Sequence, residues 1–273
     1  MNVSMTEKEI IKRHLSRKRK RPFPTAIKTF AATLQFYSTK AYEYVRKTFL
    51  NILLHPQTIK KWYSSIDAKP GITLEALRTV QAKINEAAAV EKILYFSLVI
   101  DDMSIKEEIE IEDDKYYGYV DFGTNPENND SIPRANHACV LLLVCINGNW
   151  KIPVAYYFIK SLNGAERANV IEQVLASLHE VGAKVLNVTM DGTASNISTA
   201  RCLGANIAAQ DLKPYFIHPQ SKEKVYIILD ACHMIKLIRN SYATSRNMHD
   251  SYGNKIDWQY IVHLVKLQEQ KGL

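Results

Sequence analysis

The chain has 273 residues, long enough for one large domain or two modest ones. Apolar residues make up 47% and charged residues 23%, which excludes wholesale disorder and predicts a packed interior. The net charge of +7 is unevenly placed: residues 1–70 carry +11 and the remainder −4.

A basic end on a mildly acidic body predicts that the first segment faces a polyanion. Nucleic acid is the natural one, because neutralised phosphates release counterions. The longest unbroken apolar run, Ala138 to Ile146, is nine residues, against the ~20 that span a membrane. The polar, basic N-terminus has no apolar stretch behind it, so it does not read as a secretory signal. Cys139, Cys145, Cys202 and Cys232 lack CxxC spacing, so neither a disulfide framework nor a zinc ribbon is indicated. These features predict a soluble protein of a reducing compartment.

Residues 1–22 read as a solvated basic tail. The run Arg17-Lys18-Arg19-Lys20-Arg21 repels itself in any compact state. Such a run serves as a nuclear-localisation signal or a phosphate-gripping arm, and both uses place the protein in the nucleus.

Residues 23–70 predict a small all-α domain. Ile27, Phe30, Ala31 and Leu34 recur at helical spacing, as do Ala41, Tyr42, Val45 and Phe49. His55-Pro56 breaks the pattern, and a third helix carries Ile59, Lys60, Lys61, Trp62 and Tyr63. Three short helices with a basic third one form a helix-turn-helix pattern, whose last helix enters the major groove of double-stranded DNA. Lys60 and Lys61 are the DNA-binding candidates on it, and Trp62 and Tyr63 the expected core anchors.

A connecting helix is expected over 71–92, after the linker Lys69-Pro70-Gly71. Residues 93–240 then predict an α/β domain. Ile93–Ile100 is an apolar, β-rich run with few polar interruptions, as in a central strand buried on both faces. Tyr116–Phe122, His137–Ile146 and Lys151–Ile159 are further strands, the last two joined at Asn147-Gly148. A helix follows with the stripe Val170, Ile171, Val174, Leu175, Leu178. After it come a strand Val185–Met190, a helix near 194–203, a strand Val225–Leu229 and a basic helix His233–Asn240. Glu107–Asp114 reads as a solvated hairpin or loop. Strands, helix, strand, helix, strand, helix is the ribonuclease-H-like succession, a mixed sheet flanked by helices.

The acids fall at strand ends in that order. Asp101 and Asp102 end the first central strand and Asp191 ends the strand that should lie beside it. Paired carboxylates suit Mg²⁺ or Mn²⁺, which take hard oxygen ligands and activate phosphoryl transfer. Strand alternation sends Asp101 and Asp102 to opposite faces, so one of them points at a shared site. Asp101, closer to the strand body, is preferred. Asp102, Asp230 and His233 remain secondary candidates, although Asp230 suits a helix cap and His233 a structural hydrogen bond.

The blocks LVIDDMSIK (98–106), YYGYVDFG (116–123), VTMDGTASN (188–196) and LDACHMIKLIRN (229–240) resemble signature blocks of P-element-type transposases. That family includes the THAP-domain-containing transposase homologues. FAATLQFYSTKAYEYVRKTF with HPQTIKKWY resembles its helix-turn-helix region. The resemblance implies DNA cleavage and strand transfer by an Asp-Asp-Glu triad with Mg²⁺, with Asp101 matching the first acid and Asp191 the second. It implies action as a homo-oligomer on transposon ends, and a GTP-binding insertion that would begin over 241–273, with most of the GTP site beyond it. No residue here matches the third acid, no cysteine in 1–138 could build the family's zinc finger, and Ala231-Cys232 stands where the family commonly has Pro-Pro. The expectation is a transposon-derived fragment; the alternative is an inactive, domesticated nuclear DNA-binding protein.

Overall fold

The computed structural model describes residues 4–15, 22–63, 69–112, 115–124, 132–245 and 248–272. The chain divides into two compact units, Met1–Ala68 and Lys69–Leu273.

In the first unit four helices, α1 (Met5–Leu15), α2 (Thr25–Tyr37), α3 (Thr39–Thr48) and α4 (Pro56–Tyr63), surround a small core. Ile27, Ala31, Tyr42, Leu53, Leu54 and Ile59 fill it, with Phe30, Leu34, Val45 and Trp62 packed around them. Ser38 caps α3 by accepting the Ala41 amide. The buried Tyr42 hydroxyl donates to the Leu54 carbonyl at 2.7 Å and ties α3 to the turn before α4. Trp62 anchors as expected, whereas Tyr63 is 44% exposed and its hydroxyl donates to the Ala32 carbonyl.

The solvated tail expected over residues 1–22 gives way at residues 5–15, which are helical. Ser4 and Glu7 form a reciprocal capping box, Ser4 Oγ accepting the Glu7 amide and Glu7 Oε2 the Ser4 amide. Ile10 then packs on the core of the unit. Local capping plus one apolar anchor outweighs the net positive charge here.

The second unit is built on a seven-stranded sheet. Its elements in chain order are β1 (Gly71–Ile72), α5 (Leu74–Ala88), β2 (Tyr95–Ser104), β3 (Glu110–Glu112), β4 (Lys115–Tyr117), β5 (His137–Cys145), β6 (Lys151–Ile159), α6 (Gly164–Glu180), β7 (Lys184–Met190), α7 (Ala194–Cys202), β8 (Tyr215–Ile217), β9 (Lys224–Leu229) and α8 (Ala231–Ser245). Two short strands, β10 (Met248–His249) and β11 (Lys255–Ile256), and the helix α9 (Gln259–Gln270) follow. The sheet order is β1-β6-β5-β2-β7-β9-β8. β5 runs antiparallel to both β2 and β6, while β2, β7 and β9 are parallel, joined by crossovers through α6 and α7. This is the mixed order the succession of elements predicts.

One face of the sheet is sealed. Phe96, Leu98 and Ile100 of β2 join Leu141 and Leu143 of β5, Val185 and Val188 of β7, and Ile171, Val174, Leu175 and Leu178 of α6 in one apolar cluster. The other face is more open: Tyr226 and Ile228 of β9 stay 45% and 48% exposed. β2 accordingly alternates between buried and half-buried residues instead of being buried on both faces.

Tyr116–Phe122 is not a strand of this sheet. Lys115–Tyr117 pairs with Glu110–Glu112 in a separate hairpin, and Tyr119 and Asp121 make single bridges to Arg134 and Phe158. Gly118 is the break: its φ is +111°, and a Cβ there would lie 3.1 Å from the Glu108 carbonyl carbon.

Candidate active site at the carboxyl ends of the parallel strands

The last aligned pair between β2 and β7 is Val99 and Thr189, and the last between β7 and β9 is Met190 and Leu229. Counting on along each strand brings Asp101, Asp191 and Asp230 level at one edge of the sheet. The Asp230 amide donates to the Met190 carbonyl at 2.8 Å and prolongs the β7–β9 ladder to that edge. β2 continues past this point on its other side, pairing with β5 as far as Ser104 and His137. Asp101 and Asp102 therefore lie within the strand, where β2 has parted from β7. Ligand crevices of parallel sheets open at such carboxyl ends.

Asp191 is the most elaborately held of the acids. Its Oδ1 accepts the Thr193 amide at 3.1 Å, the Thr193 hydroxyl at 2.7 Å and the Asn196 amide group at 2.6 Å. Burial alone would raise its pKa. The Thr193 hydroxyl and amide, Asn196 and the charge of His233 outweigh burial and hold the carboxyl below its ordinary value. No hydrogen bond among the described residues engages Oδ2.

Asp101 is exposed, and its Oδ1 accepts the Asp102 amide at 2.9 Å. Asp102, on the opposite face of β2, is committed elsewhere. Its two oxygens accept Nη1 and Nη2 of Arg167, from the first turns of α6, at 3.0 and 2.6 Å. Arg167 is 5% exposed. Burial would lower its pKa, but the bonds to and charge of Asp102 more than compensate and keep the guanidinium protonated. Cys139 lies opposite Asp102 on β5, and burial, with the Asp102 charge adding, pushes its thiol up to about 12.

Asp230 turns towards its own helix, Oδ1 accepting the Cys232 amide at 3.0 Å, and its Oδ2 lies 3.9 Å from His233 Nδ1. Among the described residues no three His, Cys, Asp or Glu side chains converge closely enough to hold a metal ion. Lys60 and Lys61 are exposed on α4, and Arg17, Lys18, Arg19, Lys20 and Arg21 lie outside the described residues. No described helix is long and apolar enough to cross a membrane.

Sequence reasoning missed Arg167, Thr193 and Asn196. Arg167 had a signal: it extends the stripe Val170, Ile171, Val174 back by one turn, and a charge on a buried stripe needs a partner. Thr193 and Asn196 follow Asp191 at a helix start, the spacing at which side chains meet a preceding carboxylate.

Comparison with known proteins bears on this architecture directly. Residues 68–204 match the family described as TNP-like, RNase H N-terminal domain. Residues 1–62 match the transposable element P transposase-like helix-turn-helix domain. The chain belongs to the P-element-type transposase family. A third match, to the TNP-like GTP-binding insertion domain, covers residues 232–273 and so begins ahead of the expected position 241, taking in His233 and most of α8.

Among relatives in this family, the chain is 31% identical to human DNA transposase THAP9 over 91% of its own length and 27% of that protein. It is 23% identical to the Drosophila melanogaster transposable element P transposase, over 69% of this chain and 22% of that one. The chain thus spans about a quarter of the length of these curated relatives. A chain of the Drosophila P element transposase strand transfer complex superposes with a TM-score of 0.67 at 21% identity, covering 97% of this chain and 53% of that one. The mixed sheet with its helices is therefore a ribonuclease-H-like fold.

Proposed function

We propose that this chain is the DNA-binding and carboxylate-bearing portion of a nuclear DNA transposase, with Asp101 and Asp191 as metal-binding acids for cutting and joining DNA. The observation that supports the reading is the register of β2 against β7, whose last aligned pair, Val99 and Thr189, stands two residues before Asp101 and Asp191 on neighbouring parallel strands. The donor chemistry fits a hard divalent cation: Asp191 is held ionised, with Oδ1 fixed by three donors and Oδ2 left over, and Asp101 is exposed. When bound, Mg²⁺ or Mn²⁺ supplies Lewis-acid polarisation of a phosphate and a more acidic attacking hydroxyl or water.

The chain's own residues supply the rest. Thr193 and Asn196 fix the orientation of the Asp191 carboxylate before substrate arrives. The helical unit, with Lys60, Lys61 and the run Arg17–Arg21, grips duplex phosphates and holds a transposon end. Residues 232–273 would contribute the opening part of a GTP-binding insertion, which supports nucleotide dependence of the whole protein. Two ends are joined by a homo-oligomer in this reading.

The test is metal-dependent nicking or strand transfer of a labelled duplex by the chain beside its Asp191→Ala variant. Loss of Mg²⁺- or Mn²⁺-dependent activity in the variant is expected; activity that survives the substitution sinks the assignment.

A second reading, a DNA-binding protein without catalysis, draws on Asp230. The third acid on this edge is turned into the start of α8 and does not complete a cluster. Salt-sensitive duplex binding without any metal-dependent cleavage would favour it.

A further inference from the structure

We propose that Arg167 is a positioning residue: by gripping Asp102 through a part-buried two-pronged ion pair, it leaves Asp101 as the carboxylate of β2 that takes the metal. The inference rests on the reading of Asp101 and Asp191 as metal-binding acids and adds the device that selects between two adjacent aspartates.

Asp101 and Asp102 are neighbours on one strand, both free by sequence to bind a cation. Alternation puts Asp102 on the face of β2 opposite Asp101, where an unpaired carboxylate would offer a cation a second, competing position one residue away, and small displacements matter in phosphoryl transfer. The structure closes that second position. Both oxygens of Asp102 are occupied by Arg167, and the guanidinium beside them repels any approaching cation. Asp101 keeps its second oxygen and its exposure.

The grip is itself rigid. Asn163 and Glu166 form a reciprocal capping box at the start of α6, with Asn163 Oδ1 accepting the Ala165 and Glu166 amides at 3.0 and 2.9 Å and Glu166 Oε2 accepting the Asn163 amide at 2.9 Å. Arg167 is the next residue. The planar fork of an arginine matches a carboxylate in a way that a lysine cannot. The same helix start also reaches the second acid. Gly164 lies so close to α7 that a Cβ would stand 2.9 Å from the Ser198 carbonyl carbon, and α7 carries the Asn196 that holds Asp191. One helix terminus thus steadies the surroundings of both acids, β2 through Arg167 and β7 through α7.

A simple fastener between α6 and β2 would show the same ion pair, so the test reads metal affinity beside stability. Mn²⁺ is titrated into the full chain and followed by electron paramagnetic resonance, with thermal melts on the same samples. Asp101→Asn should abolish the Asp191-dependent binding. Arg167→Lys and Asp102→Asn should each weaken it about tenfold, and the double variant by no more than either alone, because the two side chains act as a unit. Should Arg167→Lys fail to fold, Asp102→Asn decides, since it keeps the shape while removing the charge and one of the two acceptors. Two outcomes overturn the proposal: wild-type Mn²⁺ affinity in the pair variants, with only the melting temperature lowered, or Asp102→Asn costing as much as Asp101→Asn. If the unaltered chain shows no Mn²⁺ binding that depends on Asp101 and Asp191, the parent reading of the site fails, and this inference with it.

Discussion

Asn196 donates to Asp191 across a distance of 2.6 Å, the shortest of three hydrogen bonds that converge on a single carboxylate oxygen. The amide is itself buried, with its own Oδ1 unpartnered among the described residues. The bond links the first turn of α7 to the end of β7, and it favours the charged form of Asp191.

Replacing Asn196 by Ala should therefore act on stability and on its pH dependence together. The folded-state pKa of Asp191 is depressed, so its contribution is present above the unfolded pKa and disappears as pH falls through the folded value. Asn196→Ala should cost about 1 kcal/mol at pH 7. It should also narrow the difference between urea midpoints measured at pH 7 and near pH 3. An unchanged pH profile would show that Asn196 does not favour the ionised acid.

Local patterning and long-range pairing differ sharply in how far the sequence discloses them. Ile93–Ile100 announces a central strand because an eight-residue stretch that is apolar save for Ser97 has few other homes, and Asp191 stands out as the residue that ends the next parallel strand. Tyr116–Phe122 misleads because its tyrosines alternate like a strand, while the one residue that breaks it, Gly118, has no side chain to register in a periodicity. Residues 5–15 are masked by the basic run behind them, although the spacing of Ser4 and Glu7 marks a helix start. The Asp102–Arg167 pair spans 65 positions in sequence, and only the crossover that lays α6 on the sheet brings the two together. That contact gives Asp102 a partner that spacing alone does not disclose.

Gly164 tests the packing of α6 on α7. An alanine there places its Cβ 2.9 Å from the Ser198 carbonyl carbon, a backbone atom that cannot rotate away. Alanine is the better helix former, so a purely local view predicts stabilisation. Gly164→Ala should instead destabilise the second unit by about 1–3 kcal/mol, the usual range for overpacking, as read from a shifted denaturant midpoint.

Tyr42 tests the helical unit. Its hydroxyl is fully buried, donates to the Leu54 carbonyl and is pushed by burial up to about 12. A group whose folded pKa is raised contributes stability below its unfolded value, near 10, and loses it as pH rises towards the folded one. The unit should lose stability between pH 10 and about 12, followed by circular dichroism. Tyr42→Phe should remove that part of the alkaline loss and cost about 1–2 kcal/mol at neutral pH, because the Leu54 carbonyl is left without its donor.

Lys60 tests whether α4 faces DNA. It is exposed on a short helix that is anchored in the core by the buried Ile59. A lysine that neutralises one phosphate contributes about one unit to the slope of log affinity against log salt and carries no base preference. Lys60→Ala should therefore weaken duplex binding to a similar degree on unrelated sequences and flatten the salt slope by about 1, measured by fluorescence anisotropy at several salt concentrations. A loss confined to one DNA sequence would instead mean that Lys60 reads a base edge, and an unchanged slope would place the phosphate-contacting face of this unit on other helices.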